Sequence, residues 1–406
     1  MTKMGHATNG QIWTVIPYRG KFQKFYNPIE AYQLFADHIV NLLTGEVVIF
    51  DFAKNWQSFV DSFQSGPGFS VLHLFYEFSS LTMRDLKPDS ELGIVIRYGN
   101  RQQLDALPEG QDKFFFKKKS SPNFKSYAKK FEHVQNHLNK GNCYQINLTE
   151  RYRFQFSDLK KISPMNIVSK VWNKSCGAYA HATYIQSQER LLLSNSPECL
   201  YQQEGLSVYS MPIKGTLALD ESIPLEESWK ELSSCSKNQA ELDMITDLLR
   251  NDLSALEIPR AMVEKRKSAL VVHKILHQYS KIKVELESQL PLSRFIQCLF
   301  PGGSITGAPK QRVCELIRKI EKTPRGFYCG STILLANKVK SNFHVASINI
   351  RSADMNLKTG ELVYGSGGGV TLKSRDTDEF NEMELKVNSF MDLFDSETKI
   401  ESSIFE

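Results

Sequence analysis

The stretch from Ser196 to Thr216 most constrains the fold of this chain, because it is typical of two antiparallel strands with a tight turn between them. The turn is expected at Glu204-Gly205, since glycine adopts the left-handed backbone that such turns require. Residues 206–213 are rich in strand formers, and alternation places Lys214 on the face opposite the apolar side chains. Such a hairpin brings the carboxyl group of Glu198 towards the amine of Lys214.

An acid facing an amine can transfer a proton at one end and attack an electrophile at the other. Taken alone this is a weak indication, because a lysine at a strand end is more often a solvated charge than a nucleophile. The interpretation of Glu198 and Lys214 therefore depends on the other motifs of the chain.

The bulk composition indicates a globular intracellular protein. A chain of 406 residues with 41% hydrophobic content can bury a large core in one domain or two. The net charge of +5 is small for this length and indicates neither nucleic acid nor a membrane surface as partner. Seven cysteines without a CxxC pair predict reduced thiols and a cytoplasmic location. No stretch approaches the roughly 20 apolar residues of a membrane span.

The first part of the chain mixes strands with a helix and contains no cluster of catalytic residue types. Apolar spacing predicts a helix over residues 28–43 and strands over 46–52, 70–76 and 92–97. Residues 107–124, charged and containing proline and serine, are interpreted as a linker. Beyond it, periodicity predicts helices over 126–139, 238–253 and 377–394, and strands over 143–152, 327–336, 343–352 and 361–364.

Residues 300–322 combine a glycine-rich loop with a helix that has Pro309 in its first turn. The free backbone N–H groups at such a helix start form an anion site. The loop is not a nucleotide-binding phosphate loop, because Gly307 is followed by Ala-Pro-Lys where Gly-Lys-Ser/Thr is required. A carboxylate ligand fits this loop as well as a phosphate does.

Near the C-terminus, a run of glycines from 365 to 369, interrupted by Ser366, precedes the last predicted helix. Such a run is either a flexible turn or a place where bare backbone contacts a ligand. On the helix, Glu379 and Glu382 lie one turn apart and repel each other unless a cation lies between them. With Glu241 they form a candidate Mg²⁺ site, the alternative being an ordinary solvated acidic face.

Several motifs together resemble those of the chorismate-utilising enzymes, most strongly over residues 121–394. The motifs are SPE at 196–198, PIKGT at 212–216, DLLRNDL at 247–253, PGGSITGAPK at 301–310 and SGGGV at 366–370. The resemblance implies an α+β fold in which two large β-sheets pack face to face with flanking helices, as in anthranilate synthase component I. It also implies an N-terminal subdomain over 1–120, a chorismate-binding catalytic domain over 121–394 and a polar tail over 395–406.

The resemblance further implies which residues form the site. Mg²⁺, held by Glu241, Glu379 and Glu382, would grip the ring carboxylate of chorismate. The enolpyruvyl carboxylate would be bound by Tyr328, Arg351 and the backbone N–H groups of Gly367, Gly368 and Gly369. The other implied residues are Lys386 near the metal, Ser304, Thr306 and Thr216 along the pocket, and His277 near the reacting ring.

Members of this family differ in the nucleophile that they add to the ring. Water-adding members have a lysine where this chain has Gln145, and glutamine cannot act as a base. Members that add ammonia at carbon 2 have an alanine where this chain has Lys214. The resemblance therefore implies addition of ammonia at carbon 4, with Lys214 as covalent nucleophile and Glu198 as acid. The alternatives are ammonia addition at carbon 2, a non-catalytic chorismate-binding subunit, and Lys214 as a charge partner of the substrate.

The source of ammonia is expected on another chain. None of the seven cysteines lies in the Gly-x-Cys-x-Gly turn of a glutaminase nucleophile. The resemblance thus implies a separate glutamine amidotransferase subunit as partner, with free ammonia as its substitute in the test tube.

Overall fold

The structure, a computed structural model, describes residues 11–83, 90–109, 115–157, 163–220, 222–256, 261–272, 275–338 and 341–394. Within these ranges the strands are β1 (Ile12–Tyr18), β2 (Lys21–Phe35), β3 (His38–Asn41), β4 (Val47–Ile49), β5 (Phe69–Leu74), β6 (Glu91–Leu104), β7 (Phe115–Ser120), β8 (Gln145–Ser157), β9 (His181–Ile185), β10 (Arg190–Ser194), β11 (Cys199–Glu204), β12 (Ser207–Ser210), β13 (Ile213–Ala218), β14 (Met262–Val272), β15 (Ile275–Glu285), β16 (Gly307–Ala308), β17 (Ser331–Lys338), β18 (Ser341–Ile348), β19 (Ser352–Asn356) and β20 (Glu361–Val370). The helices are α1 (Phe52–Ser62), α2 (Ser79–Met83), α3 (Phe124–Asn139), α4 (Pro164–Lys174), α5 (Leu225–Ser234), α6 (Ser236–Ser254), α7 (Leu292–Leu299), α8 (Lys310–Glu321) and α9 (Asp376–Met391).

The long strand β2 joins two runs of antiparallel strands. On one side it pairs with β1, and the run continues through β9, β10, β19 and β20 to β8. On the other side it pairs with β6, and this run continues through β5, β17, β18, β11 and β12 to β15, which β13 joins. The two runs end in the strands that carry the candidate site, so the fold brings together residues far apart in the chain.

The buried apolar side chains of both runs form a large core and a second, smaller cluster. The large core includes Leu148 and Tyr364 from one run, and Tyr201 and Ile333 from the other. Helices pack over it with the apolar stripes that the sequence predicts, as in α6, where Leu242 and Leu249 are buried.

The helix predicted over residues 28–43 is wrong. These residues lie in the end of β2 and in β3, which pair with each other. Ala31, Leu34 and Ile39 are buried as expected. Ala31 belongs to one buried cluster and Leu34 and Ile39 to the other, so apolar residues on both faces of the strand produce a spacing that local periodicity cannot distinguish from that of a helix. Pairing of β2 with β1, β3 and β6 decides the outcome, because tertiary context overrides local propensity.

Other predictions agree with the structure to within a few residues. The predicted helices over 126–139, 238–253 and 377–394 correspond to α3, α6 and α9. The glycine run belongs to β20, whose strand continues to Val370. Two predictions differ from the structure. The predicted linker over 107–124 contains the strand β7, and residue 52, predicted as the end of the strand over 46–52, begins helix α1.

The sheet crosses the boundary predicted near residue 120. Strand β1 pairs with β9, and β5 pairs with β17, so the first hundred residues are hydrogen-bonded to the last two thirds of the chain. The division into 1–120 and 121–394 therefore stays a prediction from sequence, and the tail over 395–406 lies outside the described residues. Among those residues, no helix is long and apolar enough to cross a membrane.

Candidate active site

A polar cavity of about 240 Å³ lies where the two runs of strands end. It receives side chains from β8 of one run, from β13 and the residues flanking β11 and β17 of the other, and from helices α6 and α9, and strand β20 contributes the bare backbone of its glycines. Its walls are formed by Gln145, Asn147, Thr149, Glu198, Lys214, Asn238, Glu241, Ser304, Ile305, Tyr328, Cys329, Ile350, Gly367, Gly368, Gly369, Glu379, Glu382 and Lys386.

Glu198 directly precedes strand β11, and a hydrogen bond from its backbone N–H fixes its position. Its N–H donates to the Ser196 hydroxyl (3.2 Å), which in turn donates to the carbonyl of Ile348 (2.6 Å). Burial raises the pKa of the Glu198 carboxyl group, and the Ser304 hydroxyl and the charge of Lys214 oppose this shift. A carboxylic acid with a raised pKa suits a proton donor.

Lys214 lies on β13. A bulge interrupts the pairing of β13 with β15 at this position, so the side chains here do not follow the regular alternation of a strand. Nζ of Lys214 lies 3.7 Å from Oε2 of Glu241 on α6, and the two side chains are 34% and 26% exposed. Gly215 has φ = +82°, and a Cβ there would lie 3.1 Å from Nδ2 of Asn238. Glycine at 215 thus allows α6 to approach the strand that carries Lys214.

The expected acidic helix face borders the same cavity. Glu379 is buried and accepts a hydrogen bond from the Ser374 hydroxyl (2.8 Å). Glu382 is paired with Nζ of Lys386 at 2.8 Å, and that Nζ also donates to the carbonyl of Gly367 (3.0 Å). In the part of the chain that the structure describes, no three His, Cys, Asp or Glu side chains lie close enough together to hold one ion.

The glycines of β20 are required by close contacts on three sides. A Cβ at Gly367 would lie 2.4 Å from the carbonyl oxygen of Leu148, and one at Gly369 would lie 2.3 Å from Nε2 of Gln145. At Gly368 it would lie 2.9 Å from Oε2 of Glu379. The sequence left two alternatives for this glycine run, a flexible turn or bare backbone at a ligand site. The structure agrees with the second to the extent that the bare backbone lines a cavity.

Tyr328 lines the cavity and packs against Gly365, where a Cβ would lie 2.1 Å from Cδ1 of the tyrosine. We expect Gly365→Ala to displace the ring and to lower kcat/KM for the substrate by roughly tenfold or more, because small misplacements at a site are costly. Steady-state kinetics checks this result. The control is Gly99→Ala in β6, where the nearest atom would be a flexible Ile29 methyl group at 3.4 Å. Equal kinetics in both variants would contradict the assignment of Tyr328 to the site.

Some predicted site residues are not brought to the cavity wall. Among the described side chains, His277, Arg351 and Thr306 do not line it. Thr306 is buried and donates to the carbonyl of Gly302 (2.9 Å). Burial and the charge of Arg351 lower the pKa of His277. The backbone of Thr216 pairs with His277, but its side chain lies outside the described part of the structure. The roles predicted for these residues stay predictions.

The sequence analysis named Gln145 but missed other polar residues of the wall. Asn147 and Thr149 share one face of β8 with Gln145, as the alternation of side chains along a strand requires. What the alternation could not reveal is that this face points into a cavity. Asn238 lies one turn before Glu241 on α6, and both reach the cavity because residues three apart share a helix face.

The chain is similar in sequence to one known family of proteins. The sequence model of the family described as chorismate binding enzyme matches residues 72–392. Aminodeoxychorismate synthase component 1 from Salmonella typhimurium is 31% identical over 271 residues, which cover 65% of this chain and 56% of that protein. The protein of the same name from Bacillus subtilis is 27% identical over 281 residues, covering 68% and 57%. This chain thus spans little more than half the length of these relatives.

Solved structures confirm the expected fold. Anthranilate synthase component I from Streptococcus pneumoniae superimposes with a TM-score of 0.72, covering 96% of this chain and 95% of that one at 17% identity. MenF, the menaquinone-specific isochorismate synthase from Escherichia coli, gives a TM-score of 0.66 over 96% and 90% at 15% identity. At such identities the likeness concerns the fold alone.

Proposed function

Because this chain belongs to the chorismate-binding enzyme family, we propose that it is an aminodeoxychorismate synthase component I. In this proposal it converts chorismate and ammonia to 4-amino-4-deoxychorismate, a precursor of 4-aminobenzoate and folate. The relatives that bear this name support the assignment.

The observation that carries the proposal is the placement of one amine and one acid in the same cavity. Lys214 and Glu198 both line it, and the charge of Lys214 influences the Glu198 carboxyl group. Gln145 lines it as well, at the position where water-adding members of the family have a lysine. The wall therefore offers an amine nucleophile and a proton donor but, at Gln145, no base for water.

The proposed reaction has two steps that balance in atoms and charge. The neutral amine of Lys214 attacks carbon 2 of the ring, the conjugated double bonds shift, and the hydroxyl group on carbon 4 leaves as water with a proton from Glu198, so that a positively charged amine adduct stands beside the Glu198 carboxylate. Ammonia then adds at carbon 4, the double bonds shift back and the neutral amine of Lys214 leaves carbon 2. The new ammonium group on carbon 4 returns one proton to Glu198, which restores the acid. Oε2 of Glu241 lies 3.7 Å from the attacking amine.

We propose that Glu241, Glu379 and Glu382 hold Mg²⁺ when the substrate is bound. The donor chemistry fits, because Mg²⁺ takes carboxylate oxygens, uses few protein ligands and keeps several waters. Oε2 of Glu379 lies close to the bare backbone of Gly368, and Glu241, Glu379 and Glu382 all line the cavity. The bound ion would supply positive charge to the ring carboxylate of chorismate, and Lys386 would add a second cation nearby.

The proposed partner is a glutamine amidotransferase subunit that supplies ammonia. The names of the relatives, which call them component 1, support a second component. We propose a cytoplasmic location, which the seven free cysteines support.

The test is to incubate the protein with chorismate, Mg²⁺ and an ammonium salt. We expect chorismate to be consumed and the product to yield 4-aminobenzoate after a lyase is added. Fluorescent anthranilate formed without the lyase would instead identify the enzyme that aminates carbon 2. Tight chorismate binding without turnover under any nitrogen source would identify a non-catalytic subunit.

The raised pKa of Glu198 predicts the pH dependence of adduct formation. An acid donates its proton only below its pKa, so the rate is expected to fall as pH rises through a pKa above the usual 4.3 or so of glutamate. Glu198→Gln should lose this descending limb and about 10²–10⁴-fold in rate. Single-turnover measurements without ammonia check this, since the protonation of ammonia would distort the profile. A descending limb that persists in Glu198→Gln would assign the acid to another group.

A further inference from the structure

Arg325 and Glu321 form a buried ion pair at the end of α8 that the proposed chemistry does not use. Nε of Arg325 lies 2.8 Å from Oε2 of Glu321, and Nη2 lies 2.7 Å from Oε1. The two side chains are 2% and 4% exposed. Neither is among the described residues that line the cavity, so neither touches the substrate in the proposed site.

Among the described residues, the hydrogen bonds that the two side chains make outside the pair reach residues of the cavity wall. Arg325 donates from Nη1 to the carbonyl of Ile305 and from Nη2 to the carbonyl of Asn147, both at 2.8 Å. Glu321 accepts from the N–H of Thr149 (2.9 Å) and from its hydroxyl (3.1 Å). Ile305, Asn147 and Thr149 all line the cavity.

These contacts fix the strand that supports the glycines. In the pairing of β8 with β20, Asn147 lies opposite Gly369 and Thr149 lies opposite Gly367. Tyr328 follows Arg325 by three residues, in the segment whose start is bonded to Glu77 through the N–H of Arg325 (2.7 Å). The Arg325 side chain therefore connects the turn that contains Ile305 and the strand β8 to the segment that leads to Tyr328. All three surround the site.

We propose that Arg325 is a positioning residue for chorismate, an inference that rests on the proposed function. A planar guanidinium with donors on several sides is needed to bridge Glu321, Ile305 and Asn147 at once. A lysine ammonium keeps the charge but cannot reach all three in this geometry. The guanidinium of Arg325 also lies over the ring of Tyr76, 4.5 Å from its centre, which is not part of the wall. The role differs from plain stabilisation because, in the described part of the chain, the hydrogen bonds that the two side chains make outside the pair end on residues of the cavity wall.

The chain contains a matched control. Arg190 forms a similar clamp, with Nη1 2.6 Å from Oε1 of Glu91 and Nη2 2.6 Å from Oδ2 of Asp354. Its side chain is 14% exposed. None of these residues is among the described residues of the cavity wall. Loss of its fork is expected to affect stability without affecting the site.

The experiment compares Arg325→Lys with Arg190→Lys in the full chain, by thermal unfolding and by steady-state kinetics with chorismate, Mg²⁺ and ammonium. Both variants are expected to unfold at lower temperature. Only Arg325→Lys is expected to lose roughly 10–100-fold in kcat/KM, mainly through a higher KM for chorismate. Losses in kcat/KM that match those of Arg190→Lys would overturn the inference.

The failure of this inference differs from failure of the proposed function. If the parent protein consumes no chorismate, the proposed function fails. If the parent is active and the two variants behave alike, only the positioning role fails. Should Arg325→Lys not fold, Glu321→Gln is tested in the same way, and failure of both to fold shows a purely structural pair and overturns the proposal.

Discussion

Lys214→Ala is expected to lose aminodeoxychorismate formation by roughly 10³-fold or more, because removal of a nucleophile removes the covalent route as a whole. The variant should still bind chorismate, since the other cavity residues are intact. The open space beside Glu241 is expected to admit ammonia to carbon 2, so that anthranilate forms slowly instead. Product analysis by chromatography and fluorescence checks both results.

The matched variant is Lys214→Arg, which separates nucleophile from charge. Arginine keeps a positive charge opposite Glu241, 3.7 Å from the amine in the parent, but it is never neutral near pH 8 and cannot attack. We expect it to be as inactive as the alanine variant. Near-parental activity in Lys214→Arg would mean that residue 214 acts as a charge partner of the substrate.

Glu382→Gln is expected to weaken Mg²⁺ binding strongly. Loss of an outer-shell partner already costs about 10–100-fold in metal affinity, so loss of a carboxylate ligand should cost at least as much. The variant also removes the carboxylate that pairs with Nζ of Lys386 at 2.8 Å, so this carboxylate no longer offsets the positive charge of the lysine near the ion. The apparent Mg²⁺ constant is measured from chorismate turnover and from the thermal shift that Mg²⁺ produces with chorismate present.

The control for Glu382→Gln is Asp378→Asn on the same helix. Asp378 is exposed, pairs with Arg375 and is not among the described residues of the cavity, so its change removes the same charge elsewhere. We expect its Mg²⁺ dependence to equal that of the parent. An unchanged dependence in Glu382→Gln would show that the metal lies away from α9.

Much of the site follows from the sequence, because its residues lie in motifs that local chemistry already marks. The sequence predicts Glu198 and Lys214 on one hairpin. In the structure the hairpin of β11 and β12 ends at Ser210 and Lys214 lies on the next strand, β13, which pairs with β15, yet both side chains line one cavity. The family resemblance is confirmed by the match over residues 72–392. The one-turn spacing of Glu379 and Glu382 likewise placed both on the face that borders the cavity.

What the sequence could not predict depends on contacts between distant segments. Arg325 follows Glu321 by four residues, a spacing that is typical of ordinary surface pairs, and nothing local indicates that both are buried. Polar and apolar residues alternate along β8 as they do in any half-buried strand, so the sequence does not show that the polar face points towards a ligand cavity. The helix predicted over residues 28–43 is wrong because local spacing does not reveal that the end of β2 pairs with β3 and with the more distant β6.

The central claim is that the amine of Lys214 bonds to the ring, and mass spectrometry of the intact and digested protein tests it most directly. Protein mixed with chorismate and Mg²⁺ in the absence of ammonia is predicted to gain the mass of chorismate less one water, on the peptide that contains Lys214. A Lys214 that stays unmodified, in protein that turns chorismate over once ammonia is added, would contradict the account.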